Sequence, residues 1–489
     1  MGGERREERR ESQFRFTSHP VQVAKNQTSD EGQSSVHRDR SALSRKAMRR
    51  PAPAPLLLLL LSPRAAASSG GAFDVSADGA PVPADDPPAH DGSDSLIAQQ
   101  FTADPLGHRD PLEMVGDGTV GLVGISLLPT SLAGTDGRHA MVEGQFCSYD
   151  PAAGGGGLPA GVAEARSGHC AEHRYAVPLR DALRAAGEAD AAGGTGGGGG
   201  AAVHVHELSG LVLEEGLGTP GGDLVTSALA RLDGTHVVNA HPALRDALSA
   251  CDVARARFGV EECDRGAQVE LVRDVVRLLS RVRRGGDDAD GATKRTMYVK
   301  LSMESTVHLP LLVEAFPSAP WTLVYDEDAG HALEAVTATG RGACARSARR
   351  PSEALARKGE EIGGADALRS LSVHEVCAAY LSAGLDVAVR EFEDGDGGML
   401  ISRSEDMDGG DEGGKTEAFL DRMRGHFGLE HHGAPVLLKI WDLVSLSPVV
   451  VSNGRGGERD DLAEVQRASE LFMGESMERL RRARRRKMI

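Results

Sequence analysis

From about residue 201 onward, short continuous apolar runs alternate with stretches of helical period. The clearest cycle is Met297 to Asp328, MYVKLSMESTVHLPLLVEAFPSAPWTLVYDED. It reads as an apolar run at Met297–Leu301, a helix over His308–Phe316, a Pro-marked turn, a second run at Trp321–Tyr325, and then Asp326, Glu327 and Asp328. Short, mainly apolar runs of this length bounded by turn signals suit strands buried on both faces. Leu208–Glu215 predicts another such strand, followed by a glycine loop over Gly216–Gly222 and a helix over Asp223–Leu232 capped by its aspartate. Helical spacing recurs at Pro242–Cys251 and at Gln268–Arg284, where Val269, Val272, Val276 and Leu279 share a face. Ser372 and Glu375 form a capping box for a helix reaching about Phe392; a strand at Met399–Ser402 and helices at Thr416–Phe427 and Arg459–Arg485 follow. Strands alternating with helices predict an α/β fold of three layers, a mainly parallel sheet with helices on both faces. In such sheets ligands collect beyond the carboxyl ends of the strands, which draws attention to the residues after Tyr325.

The first two hundred residues are less regular. Residues 1–47 form a basic polar leader, and residues 48–67 have the order of a signal peptide: Arg49 and Arg50, a leucine run from Leu56, then Ala65, Ala66 and Ala67. Translation starting at Met48 would send the protein to the secretory lumen or outside the cell, whereas the whole leader read as one signal would target an organelle. Residues 68–96 have linker composition, 97–190 form an accessory region with a strand at Thr119–Leu128 and a helix near Pro178–Gly187, and 191–200 form a Gly-rich hinge before the domain at 201–489. Gly-rich or acidic insertions at 285–293 and 394–414 are expected to be surface loops. Beyond the signal-like segment no stretch is apolar for 18 residues, so no integral membrane span is expected once it is removed.

Charge narrows the partners. The 489 residues carry net −17; residues 1–64 hold 13 Lys+Arg against 7 Asp+Glu, leaving 42 against 65 in the rest and a net −23 there. An acidic body does not suit general binding to nucleic acid. The run Arg479–Lys487 is the exception and reads either as a solvated helix end or as an anion-binding or import patch. Six dispersed cysteines show no zinc spacing and fit either disulfides or buried thiols.

Four blocks in order carry a family resemblance: the strand, loop and helix around Leu211–Ala230, the cassette Tyr298–Tyr325, the pair GMLISRSEDM and FLDRMRGHFGLE within Gly398–Glu430, and Ser452–Leu480. Together they resemble the P-loop sulfotransferase-like family, in particular its algal and bacterial branch with the pattern AFP-x-x-PW-x-x-VYR-x-P. The resemblance implies a P-loop sulfotransferase-like fold and binding of 3'-phosphoadenosine 5'-phosphosulfate (PAPS), with a glycine loop cradling the 5' phosphate through backbone N–H groups. It places Gly218, Thr219, Gly221 and Gly222 in that cradle and makes Arg455, in the block similar to SKGRG, a phosphate ligand.

The chain departs from the family at both phosphate contacts. Asp223 stands where a hydroxyl is expected at the cradle, Asp326 replaces the arginine of VYR, and Glu334 replaces its serine partner. A carboxylate facing a phosphate at about 4 Å costs about 4 kcal/mol at an effective dielectric near 20. The expectation is therefore a sulfotransferase-like protein with weakened or lost sulfuryl transfer and a binding or scaffold role, whose partner is another protein. The alternative is an active PAPS-dependent enzyme acting on a glycan or small-molecule hydroxyl, with ligands relocated to Arg455, Arg403 or the Arg346–Arg350 cluster. His236 and His241 are weak candidates for its base, against a reading as surface or helix-capping histidines. Lys300 is read as structural, Trp321 and Phe316 as core, and no metal is expected.

Overall fold

The computed structural model describes residues 110–128, 142–148, 162–163, 174–193, 203–214, 220–260, 262–283, 295–349, 351–407, 414–445 and 459–487. Its strands are β1 (Val120–Leu127), β2 (Val142–Ser148), β3 (Val162–Ala163), β4 (Arg174–Pro178), β5 (Val203–Val205), β6 (Glu207–Glu214), β7 (Thr235–Asn239), β8 (Arg281–Arg283), β9 (Thr296–Leu301), β10 (Trp321–Tyr325) and β11 (Gly398–Ser402). The main sheet has the order β11-β10-β6-β9-β7 with the two-residue β3 beside β7, and every pairing in it is parallel. Every residue of β9 and β10 is buried, including the polar Thr296, Lys300 and Thr322.

Residues alternate between the two faces. Leu211 and Leu213 of β6, Val299 of β9 and Leu323 of β10 enter one core, with the helices Arg265–Leu279, Leu309–Ala315, Ala329–Arg349, Val373–Asp394 and Arg459–Lys487. Val212, Tyr298 and Val324 enter the other, with the helices Pro220–Ala230, Gly414–His426 and Ala434–Ser445. Helices thus cover both faces, and the α/β architecture read from the sequence holds.

Most predicted elements are present within a residue or two, including the Ser372 capping box. Three differ in a way that matters. The helix expected to start at Asp223 begins at Pro220, because proline is favoured in a first helical turn; Asp223 is then a first-turn side chain and not the cap. The segment Gln268–Arg284 splits into a helix ending at Leu279 and strand β8, which pairs antiparallel with β5. In the expected surface loop 394–414, residues Arg403–Met407 make a π-helical turn with Asp406 buried, and residues 408–413 lie outside the described set.

Strands β1, β2 and β4 form a separate antiparallel sheet whose apolar side chains join the first core. Arg281 ties this part to the body. Its buried guanidinium donates to the carbonyls of Val115 at 2.7 Å, Gly116 at 2.8 Å and Ala186 at 3.3 Å, and to Asp190 at 2.9 Å. The first two are helix-end carbonyls, whose partial negative charge favours a cation there.

Disulfides join Cys251 to Cys263 and Cys344 to Cys377, Cys147 is also disulfide-bonded, and no described cysteine is a free thiol. Cys344–Cys377 links the helices Ala329–Arg349 and Val373–Asp394 across a separation of 33 residues. Loop-closure entropy for that length corresponds to about 3–4 kcal/mol. Replacing both cysteines with alanine is expected to lower the unfolding free energy by about that amount, read from urea unfolding, with a steeper slope because the opened chain exposes more surface when unfolded.

Candidate functional site

The connections after β6 and β10 leave in opposite directions. From β6 the chain passes through Pro220–Ala230 to β7 on one side, and from β10 it runs through several helices to β11 on the other. The carboxyl ends of these adjacent strands therefore flank a switch-point crevice, the usual ligand position in an open α/β sheet.

Polar residues at this end of the sheet are organised into three groups. The first is Lys300 of β9, held between Glu214, the last residue of β6, and Asp223 in the following helix. Lys300 Nζ lies 2.8 Å from Glu214 Oε2 and also contacts Asp223 Oδ1. Lys300 and Glu214 are buried, whereas Asp223 is nearly half exposed. Burial pushes the lysine's pKa down, but the two carboxylates outweigh it and the net direction is upward. Lys300 is thus a fixed cation, as its structural reading requires.

Two glycines let the helix approach this group. A Cβ at Gly222 would sit 3.0–3.2 Å from Glu214 side-chain atoms, and one at Gly221 would sit 2.7 Å from Val324 Cγ1. The carboxylate of Glu214 therefore lies directly under the start of the helix, where the positive end of its dipole would otherwise hold an external anion.

The second group is Asp326, Arg403 and His331. Asp326 Oδ1 accepts from the Asp328 amide at 3.0 Å, while Oδ2 lies 2.7 Å from His331 Nδ1 and 3.6 Å from Arg403 Nη1. Arg403 also places Cγ 3.9 Å from the Cβ position of Gly221, so it adjoins the glycine helix. The expected repulsive site at Asp326 is accordingly a neutralised one. Glu334, the other expected contributor, is exposed on the helix face.

The third group sits behind the ends of β10 and β11. Arg484 chelates Asp406 at 3.0 and 2.9 Å, contacts Glu405, and lies 3.4 Å from Glu327. Asp406 also accepts from the Ser402 amide at 2.8 Å and from Arg422. Burial lowers the Arg484 pKa, but Tyr325, Asp406 and Glu405 raise it by more. Neighbouring basic residues are also engaged: Arg481 donates to the Glu327 carbonyl at 2.7 Å, and Lys487 to the Gly395 carbonyl at 2.5 Å. The basic run Arg479–Lys487 therefore clasps the body, a role that neither sequence reading anticipated.

Of the residues predicted to cradle a cofactor, Gly221 and Gly222 are at the crevice, while Gly218, Thr219 and Arg455 lie outside the described residues. His236 lies on β7 and His241 at the start of the helix Pro242–Leu248. His241 caps the helix Pro242–Leu248, its Nδ1 accepting from the Ala243 amide at 3.2 Å, and its ring also bonds the Leu122 backbone in β1. The His236 ring on β7 lies tilted against that of His206, with ring centroids 5.6 Å apart. Arg346 is exposed and lies 3.4 Å from Glu304. Among the described residues no group of three His, Cys, Asp or Glu side chains is placed to hold a metal ion, and no helix is long and apolar enough to cross a membrane. Trp321 is buried in the core, with Phe316 packed against it.

His331 and Glu214 were not singled out from the sequence. A charged residue ending an apolar strand before glycines was the available signal for Glu214, and an aspartate five residues before a histidine across a helix start was the signal for His331.

No family model matches the chain, and neither a curated protein nor a solved structure matches it.

Two outcomes follow from this geometry. Lys300→Met leaves Glu214 buried without its cation and is expected to cost about 3–5 kcal/mol in urea unfolding, part of it recovered in Lys300→Met/Glu214→Gln. His241 is one of three described histidines, with His236 and His308, whose pKa burial brings to about 4, below the ordinary 6.5. Its contribution to stability is complete above pH 6.5, falls as the pH drops toward about 4, and is constant below that, a total of about 3 kcal/mol. Urea midpoints measured across this range should fall less steeply in His241→Asn, which keeps a capping side chain without the titration.

Proposed function

We propose that the chain is a P-loop sulfotransferase-like protein whose donor site is closed by its own carboxylates, and that it acts as a binding or scaffold protein instead of transferring a sulfuryl group from PAPS. The observation that carries this reading is Glu214 beneath Gly222, with Lys300 bridging it to Asp223. A bound phosphate would have to displace a carboxylate from a buried ion pair and then meet a second one at Asp223. The loss at Asp326 points the same way, since its partners His331 and Arg403 are already engaged with a carboxylate.

One observation favours the alternative, an active PAPS-dependent transferase acting on a glycan or small-molecule hydroxyl: Arg403 adjoins the glycine helix. It is the one arginine among the described residues shown beside Gly221, and it already faces Asp326.

The disulfides support maturation in an oxidising compartment, in keeping with the signal-like segment and a partner in the secretory lumen or outside the cell. Organelle targeting is the competing destination.

Calorimetric titration of the full chain with 3'-phosphoadenosine 5'-phosphate at low salt tests the reading. No binding is expected at millimolar nucleotide, whereas micromolar binding would support the active enzyme. Glu214→Gln/Asp223→Thr removes both carboxylates and leaves Lys300 available, so binding should improve by at least about tenfold over any wild-type signal. No gain in a folded variant would count against the family assignment itself.

A further inference from the structure

We propose that the antiparallel sheet β1-β2-β4 is an acid-released flap, latched to the body by His241 and retained at a second point by Arg281. The inference goes beyond the scaffold reading and involves neither the glycine helix nor the crevice.

The latch uses both ring nitrogens of His241. The residue is buried, 5% exposed, where the helix Pro242–Leu248 packs on β1. Nδ1 accepts from the Ala243 amide at 3.2 Å, so the neutral ring carries its proton on Nε2 and gives it to the backbone of Leu122 in β1. A second proton, on Nδ1, removes the cap bond, turns two N–H groups toward each other and leaves a charge buried between helix and strand.

The surroundings do not compensate that charge. Strand β1 has no ionisable side chain, and His236 on β7, whose ring lies against that of His206, would repel it. Among the described residues no carboxylate pairs with any of these three rings. In the body, by contrast, His308, His331 and His374 have Asp252, Asp326 and Glu464 at 3.9, 2.7 and 3.5 Å. Charged groups on the other elements packed around the helix are engaged elsewhere: Arg245 with Asp246 at 3.1 Å, Asp252 with Arg255 at 3.4 Å, and Glu304 with Arg346 at 3.4 Å. From the helix Arg265–Leu279 the contact is the uncharged Gln268, which donates to the Leu248 carbonyl at 2.7 Å. Burial raises the pKa of Asp246 and of Asp252, so these carboxyls take up protons more readily in the folded chain and oppose release.

Arg281 responds differently to acid. Its guanidinium stays charged, and three of its acceptors are backbone carbonyls, so those bonds persist. Release therefore pivots about Arg281 and uncovers the apolar sides of the helices Pro242–Leu248 and Arg265–Leu279, which share a core with β1. His241 has a pKa of about 4 when latched and recovers its ordinary 6.5 when exposed, so opening is favoured as the pH falls below 6.5 and levels off below about 4. Between pH 7.5 and pH 5 the opening equilibrium rises about 30-fold.

The test is hydrogen exchange of the full chain, disulfides intact, read by mass spectrometry at pH 7.5 and pH 5 as protection relative to the intrinsic rate at each pH. Val120–Leu127 should lose protection about 30-fold, and at pH 5 Trp321–Tyr325 should remain at least about tenfold better protected than β1. In His241→Asn, which retains a capping side chain, the loss in β1 should shrink below about fivefold. A wild-type loss in β1 under about fivefold overturns the proposal, as does one transition shared by β1 and β10, which would make the acid effect global unfolding. A loss above about fivefold in folded His241→Asn overturns His241 as the latch. If that variant does not fold, the comparison of β1 with β10 in the wild-type chain decides.

Discussion

Lys300 is enclosed by two carboxylates at the point where the central strands of the sheet end, and that enclosure governs how the neighbouring elements can be arranged. The parallel sheet is buried on both faces, so charge can enter only at its edges and strand ends. A lysine there needs anions, and Glu214 and Asp223 supply them from the adjacent strand and from the helix that follows it. To deliver Asp223, the helix must begin almost on top of Glu214, which only glycine at 221 and 222 permits. The ion pair, the glycines and the helix position are therefore one solution to one electrostatic demand.

This arrangement separates the two ends of the crevice in kind. Near β6 and β9 Lys300 is buried between two carboxylates, that of buried Glu214 and that of the nearly half-exposed Asp223. Near β10 a carboxylate holds an accessible imidazole and adjoins an arginine. The solvent-facing side chain there is the imidazole of His331.

The fold was largely legible because its strongest signals are local. The runs at Met297–Leu301 and Trp321–Tyr325 can be satisfied only by strands buried on both faces, and the Ser372–Glu375 box marks a helix start without reference to anything distant. The candidate site was legible only in part, because its interactions are long-range. Asp223 looked like a cap, since nothing nearby in sequence shows that Lys300 claims its carboxylate. The helix that carries Asp223 begins at Pro220, three residues before the expected start. Arg479–Lys487 looked solvated because its acidic partners lie at Glu327, Asp386, Glu393 and Asp406, far upstream.

The Arg484 contact has a bearing on how the protein is made. Asp406 receives its chelating guanidinium from a residue 78 positions later, and Glu327 meets the same group across 157. During synthesis the strands β6, β9, β10 and β11 all emerge before that cation does. Until residue 484 leaves the ribosome, Arg422 is the remaining cation on Asp406, and the carboxyl ends of β10 and β11 lack their final countercharge. The sheet can associate early, but its crevice acquires its final shape only after translation has passed the last helix, so a chain interrupted shortly before that point would carry a complete sheet and an unfinished site.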